Sequence, residues 1–375
     1  MRSVAVPSAP GPHVGPRPHD GCVHPADPVP AKVTPLLELR THEELPTGAA
    51  RAEWELLLDE DPAATIFQGP RFLATWHRVL GQRTTPRVHT VHGDGGRLLG
   101  VIPEGHVREG SPTGPVEVRR FLGGTDVTDY LGPVSRPEDR ADVAAAYVAH
   151  LADDRDWDDA ILGGLAVDSG WGDALARAAG DHGLAVFERD TEDVCPRVDL
   201  SGGYDAYLGR LKGKLRHEMT RKARKLARDA GELEVVAIPA NEVKAELEVF
   251  LDLARESEPE KAGFFTRDTL QDWFRELADE FGADGTLRLH RLQVGGMPGA
   301  MTVSLVQGGE WGVYNSAFDP ALSALGPGMV LKGQLIELAA KEGCRVYDLL
   351  RGDEAYKYQF GAEDRVVERL TLVRA

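Results

Sequence analysis

Between Leu287 and Phe318 three apolar runs are separated by two glycine pairs, Gly295-Gly296 and Gly308-Gly309. Paired glycines accept the positive φ angles that tight reversals need, so the spacing predicts three antiparallel strands in meander order: Leu287–Val294, Ala300–Val306 and Trp311–Phe318. The flanking segments change period. Leu233–Ile238 reads as a strand. Two helical patterns follow, one opened by Asn241 with Glu242 in its first turn and running to about Arg255, the other opened by Thr266 and running to Phe281. After the meander come a helix from about Gly328 to Glu342, a strand Arg345–Leu350, a short helix near Glu354–Phe360 and a strand Val366–Val373. Helices interleaved with a mostly antiparallel sheet define the α+β class.

The first half repeats this pattern in kind. Helices are expected over Ala50–Leu58, Pro70–Leu80, Ala141–Ala152 and Gly172–Ala179, with strands at Arg87–Val91, Leu98–Pro103, Val116–Leu122, Asp159–Gly163 and Leu184–Phe187. A chain of 375 residues has room for two domains. The expected division is a disordered tail over 1–34, rich in proline and histidine, then domains over 35–195 and 196–375. No apolar run is long enough to span a membrane. Met1–His13 lacks the apolar core of a signal peptide, so a cytoplasmic location is expected. The three cysteines, Cys22, Cys195 and Cys344, are too scattered for a disulfide framework or a thiolate metal site, and the histidines show no ligand spacing, so no metal is proposed. A net charge of −17 argues against general binding of nucleic acid or anionic membrane. The heavy use of glycine, proline, alanine and arginine suggests a bacterial source.

Three segments carry a family likeness: Leu211 to Lys222, Trp311 to Pro320 with Gly326-Pro327-Gly328-Met329-Val330-Leu331, and Tyr347 to Gly361. Asp129-Tyr130-Leu131-Gly132-Pro133 and the series Trp54, Phe67, Phe72, Trp76 extend it over 50–375. Together they resemble the GNAT acyltransferases, in particular the BioF2-like or CelD-like acetyltransferases related to the FemAB peptidyltransferases, which pair two GNAT-like domains. The resemblance implies two GNAT-like domains, each a mixed, mostly antiparallel sheet flanked by helices. It also implies transfer of an acyl group, acetyl first among them, from acetyl-CoA or another acyl-CoA to an amine by direct attack.

What the resemblance implies meets the chemistry of particular residues. Gly326 and Gly328, with Met329, open a helix after a strand, where backbone N–H groups and the helix dipole suit a pyrophosphate. Pro327 between them lacks an N–H, and Ser323 stands where the family carries Arg or Gln. An ordinary strand-to-helix turn has the same residues. Asp348 is the candidate base or amine-orienting group and Tyr314 the candidate acid. Core packing for Tyr314, and an ion pair with Arg351 for Asp348, are the plain alternatives. Arg351, Tyr356 and Lys357 are candidates for holding an anionic group of the acceptor. Asp353 and Glu354 have the composition of a helix cap. Nine Lys or Arg lie between Arg210 and Arg228, and Arg221 is the candidate there for a nucleotide-linked, phosphorylated or tRNA-borne substrate; a solvated helix face has the same composition. Two further readings stay open: a FemAB-type, aminoacyl-tRNA-dependent peptidyltransferase acting on a cell-wall precursor, and a non-catalytic binding protein on a GNAT scaffold.

Overall fold

The alternating apolar runs of the first half become, in a computed structural model, strands β1 (Glu38–His42), β2 (Thr85–His92), β3 (Leu98–Ser111), β4 (Gly114–Phe121), β5 (Val134–Ser135), β6 (Asp159–Ala166) and β7 (Leu184–Asp199). The helical spacings become α1 (Gly48–Glu60), α2 (Pro70–Val79), α3 (Arg140–Asp153) and α4 (Trp171–Asp181). In the second half the order is α5 (Gly203–Arg210), α6 (Gly213–Ala230), β8 (Leu233–Ala237), α7 (Val243–Glu256), α8 (Asp268–Phe281), β9 (Leu287–Val294), β10 (Met297–Gln307), β11 (Glu310–Phe318), α9 (Pro327–Lys341), β12 (Val346–Asp348) and β13 (Glu363–Arg374). The structure describes residues 37–375 apart from 113, 257–262 and 264. They belong to one compact unit, Leu36–Ala375. The expected tail over 1–34 lies outside the described residues.

All thirteen strands join one mixed sheet in the order β1-β2-β3-β4-β6-β13-β7-β12-β11-β10-β9-β8, with β5 paired to β3. Only β4 with β6 and β11 with β12 run parallel; the other pairings are antiparallel. The meander β9–β10–β11 stands where the glycine pairs placed it, with Gly295, Gly296, Gly308 and Gly309 all at positive φ. The last strand of the chain leaves the second half and inserts between β6 and β7. The expected boundary at 195/196 falls inside β7, which pairs β13 along most of its length and β12 at Arg197–Asp199.

Three local expectations change. The basic segment, whose composition over Tyr204–Ala230 predicts a single helix, breaks between α5 and α6, because Leu211 turns extended into the core and packs on Gly361. The helix expected near Glu354–Phe360 is a short 3-10 turn, Lys357–Phe360. Thr266 does not cap α8: its hydroxyl donates to Gly263 O (2.9 Å), and the cap residue is Arg267.

Apolar faces explain how the halves meet. Trp54, Phe67, Phe72 and Tyr130 of the first half share one core with Phe250, Trp273, Leu305 and Leu350 of the second. Phe72 meets Trp273 edge to face at 5.2 Å between centroids, a geometry worth about 0.5–1.5 kcal/mol beyond burial itself. Arg71 extends the junction to Glu280 and Asp284 at 3.0 and 2.7 Å.

Candidate active site

Strands β11 and β12 pair only over Glu310–Val346, Trp311–Tyr347 and Gly312–Asp348, and then part. Beside the parting point β11 carries a bulge: Val303 faces Asn315 while Leu305 faces Gly312, so Val313 and Tyr314 stand against Ser304 alone. Bulges interrupt the ladder and leave backbone donors unpaired. Past Asp348 the chain turns through Leu350 at φ 58, the one non-glycine residue with positive φ among those described.

Asp348 is the last residue of β12 and is 2% exposed. Both carboxylate oxygens are held. Oδ1 accepts the Leu350 N–H (2.7 Å) and Oδ2 accepts the Tyr130 phenol (2.7 Å). Arg197 Nε approaches Oδ2 at 3.3 Å, but that nitrogen makes no hydrogen bond, so the contact is one of charge. Burial pushes the carboxyl up to about 6, against the opposing pull of Arg197 and the two hydrogen bonds. The group is therefore mainly ionised at neutral pH while able to take a proton.

A cleft of about 270 Å³ opens in front of it. One wall is Leu58 to Phe67, the other Leu305 to Gly312, with Tyr130, Asp348 and Leu350 between them. The first wall is locally braced. Thr65 and Gln68 form a reciprocal cap, and Asp61 accepts the amides of Ala63 and Ser135 (3.0 and 3.1 Å) while pairing with Arg140 at 3.2 Å. The apolar floor with Asp59 and Asp348, set against Arg345, while Asp61 and Glu310 are already paired with Arg140 and Arg197, suits a small apolar body bearing an amine.

The other sequence candidates divide by place. Tyr314 is half-buried against the core, outside the cleft lining: its phenol donates to Val127 O (2.8 Å) and accepts Trp273 Nε1 (2.7 Å). Burial raises its pKa well above the ordinary phenol range. The geometry is that of core packing, and a proton already given to a carbonyl does not suit an acid. Lys357 is 2% exposed. Its ammonium donates to the carbonyls of Leu350, Arg351 and Gly352 at 2.8, 2.7 and 3.0 Å and pairs with Glu354 at 2.9 Å. Its protons are thus directed at its own loop, not at a ligand. Arg351 spans the junction: its amide donates to Asp129 Oδ1 (3.0 Å) and its guanidinium to Asp129 O (3.2 Å), with Glu192 at 3.5 Å. It does not pair with Asp348.

Gly326 caps α9 in a left-handed conformation, φ 65 and ψ 51. Pro327 has no N–H, and the amides of Met329 and Val330 turn back to Gly326 O (3.1 and 3.2 Å), so Gly328 supplies the remaining amide of that turn. A side chain built on Gly326 would meet nothing nearer than Lys222 Nζ and Met329 Cβ, both at 3.9 Å. The space, one amide, the helix end and the Lys222 ammonium together fit a phosphate group with a reduced set of donors. Tyr356 is linked to this turn through Lys332, whose Nζ lies 5.1 Å from the Tyr356 ring and 3.9 Å from a Cβ built on Gly328. Arg221 is exposed on α6 and pairs with Glu218 at 2.7 Å.

Three residues were missed by sequence reasoning. Tyr130 lies in the motif Asp129–Pro133, where nothing local marks it for a role. Arg197 carries no local signal. Lys332 is 4% exposed and donates to Ser316 Oγ at 2.9 Å. Its signal was a lysine at helical spacing with Leu335, Ile336 and Ala339.

Residues 213–358 match the family profile described as an acetyltransferase (GNAT) domain. Among solved structures, FemX superposes with a TM-score of 0.62 at 12% identity, covering 86% of this chain and 96% of that one. The C-terminal domain (DUF2156) of a putative lysylphosphatidylglycerol synthetase from Agrobacterium fabrum gives 0.52 at 15% identity, covering 87% and 91%. L-PGS from Bacillus licheniformis gives 0.51 at 13% identity, covering 86% and 91%. At such identities the likeness is one of fold. No curated protein sequence matches the chain.

Proposed function

We propose that this chain, whose residues 213–358 match a GNAT acetyltransferase profile and which shares the fold of FemX, is an N-acyltransferase moving an acyl group, acetyl first among candidates, from acyl-CoA to an amine held in the cleft before Asp348. The observation that carries the reading is the position of Asp348: a buried, tethered carboxylate at the point where two parallel strands part, facing a cleft of small-molecule size. The halves 35–195 and 196–375 are read as two GNAT-like units that exchange their last strand.

The steps follow from the chain's own groups. The cleft takes up the acceptor as an ammonium, whose charge the acidic lining favours. Asp348 orients it and accepts its proton. The freed amine nitrogen then bonds to the acyl carbon as the carbon–sulfur bond of the thioester breaks, the nitrogen gives its second proton to solvent, and the leaving thiolate is protonated from solvent. Backbone N–H groups at the β11 bulge would supply hydrogen bonds to the thioester carbonyl oxygen as charge develops on it. The donor's phosphates would lie on the Gly326–Met329 turn beside Lys222. The test is calorimetric titration with acetyl-CoA, followed by thiol release against a panel of small amines. Binding and turnover that Asp348→Asn abolishes are expected. Absence of acetyl-CoA binding at every accessible concentration sinks the proposal.

One observation favours a second donor. The N-terminal part of α6 leaves Lys214, Arg216 and Arg221 exposed, a basic face that suits aminoacyl-tRNA. Affinity for charged tRNA that falls steeply with salt would support it.

A further inference from the structure

Val127 to Pro133 has neither helix nor strand, yet all but Asp129 are buried. Buried irregular backbone must find partners for its polar groups. This segment finds several of them in the other half of the chain. Val127 O accepts the Tyr314 phenol at 2.8 Å. Asp129 accepts the Arg351 amide at 3.0 Å and its guanidinium at 3.2 Å. Tyr130 gives its proton to Asp348 Oδ2 at 2.7 Å. Leu131 N returns to Gly164 O at 2.8 Å, anchoring the segment in the first half. The Tyr130 ring is 1% exposed, with Phe67 at 6.1 Å and the Arg365 guanidinium 4.8 Å above it.

We propose that Tyr130 is a positioning residue of the acyl-transfer site, its phenol holding the Asp348 carboxylate in the orientation that faces the cleft. The inference rests on the reading of Asp348 given above. It gives the first half a part in chemistry performed by the second. With Oδ1 tied to the Leu350 amide and Oδ2 to the phenol, the carboxylate plane has two fixed points. Without the phenol, only Leu350 and the charge contact with Arg197 remain.

The groups that set the charge of Asp348 come from every side. Tyr130 faces it from the first half, Arg197 and Cys195 from β7, and Glu310 from β11, while Arg365 of β13 acts through the Tyr130 ring. Burial raises the carboxyl and the phenol's hydrogen bond lowers it. Loss of that bond therefore shifts the titration upward.

Tyr130→Phe keeps the ring and its packing and removes only the hydroxyl. In full-length protein labelled at the aspartate carboxyl carbon, with Asp348→Asn assigning the resonance, NMR titration should move the Asp348 midpoint up by about 1 pH unit from its value near 6. Fluorotyrosine at the same position, a more acidic phenol of nearly the same shape, should move it down. It keeps the test decisive if the phenylalanine variant folds poorly. With acetyl-CoA and an amine that turns over, the acidic limb of the rate profile should follow the midpoint, with KM for acetyl-CoA unchanged. A midpoint unmoved by both replacements overturns the inference, and so does a midpoint that moves while the rate profile stays. The two readings separate cleanly. If Asp348→Asn retains full transfer, the catalytic reading of Asp348 fails. If Asp348→Asn abolishes transfer while Tyr130 replacements change nothing, only the present inference fails.

Discussion

Lys357→Met is the substitution on which sequence and structure disagree most. The sequence places this ammonium on a substrate anion; the structure places it inside a loop. Leu350 holds a left-handed conformation at φ 58, which costs a non-glycine residue about 1–2 kcal/mol. The turn persists because three successive carbonyls, Leu350, Arg351 and Gly352, converge on one ammonium within 3.0 Å. Methionine matches the length of lysine but donates nothing. Three inward carbonyls would lose their donor, at about 1–3 kcal/mol for each that stays dry. Removal of the ammonium's own desolvation cost offsets part of this, and water entry offsets more. The partner Glu354 is half exposed and contributes little. The expected net loss is about 3–5 kcal/mol, typical for breaking a buried charged cluster from one side. Guanidinium unfolding followed by tryptophan fluorescence should show it, and the thermal midpoint should fall by about 4–7 °C, at about 1.4 °C per kcal/mol for one compact unit of this length. Lys341→Met, which breaks an exposed pair with Glu337, is the control and should change stability by less than about 0.5 kcal/mol. A Lys357→Met protein within about 1 kcal/mol of wild type, but with weakened acceptor binding, would refute the brace and restore the ligand role.

Further outcomes follow from the same geometry. The Asp348 carboxyl is raised from 3.8 to about 6 on folding, so the native state binds its proton more tightly than the unfolded chain; its contribution is most favourable below about pH 4, declines as pH rises to about 6, and is flat above. The stability difference between wild type and Asp348→Asn should therefore fall by up to about 3 kcal/mol across that window, and a difference that rises with pH contradicts the sign. At neutral pH the same variant should lose about 10²- to 10⁴-fold in transfer rate with its fold intact, measured as thiol release. Tyr314→Phe strands Val127 O and Trp273 Nε1 and should cost about 1–3 kcal/mol in denaturant unfolding with turnover preserved; lost turnover in a stable protein would instead support an acid role. Lys222→Ala should leave stability within about 0.5 kcal/mol yet weaken acetyl-CoA in calorimetry by about threefold to tenfold, and unchanged affinity would remove the phosphate reading of the glycine turn.

Local chemistry was sufficient for much of the fold. The meander β9–β11 was legible because strand alternation and glycine-pair turns act over a few residues, and α8 because Leu270, Trp273, Phe274, Leu277 and Phe281 recur at helical spacing. The break at Leu211 was not legible, since only a distant partner, Gly361, makes an extended residue there favourable. The site divides in the same way. Asp348 at the end of its strand, and the glycine turn ahead of α9, became candidates through the family resemblance together with residue types and order. The environment of each candidate could not. Whether the protons of Lys357 face a ligand or three carbonyls depends on a turn whose φ the sequence does not reveal. Whether Tyr314 acts as an acid depends on Val127, 187 residues away, and the hydrogen bond on Asp348 comes from Tyr130, 218 residues away. The sequence by itself determined the α+β alternation and the meander, because those are written in short-range periodicity, while the family likeness rested on motifs such as Tyr347 to Gly361. Tertiary structure alone decided that β13 returns to the first half, that the two halves share one core, and that the cleft forms between them, because such contacts join positions with no local signal of their partners.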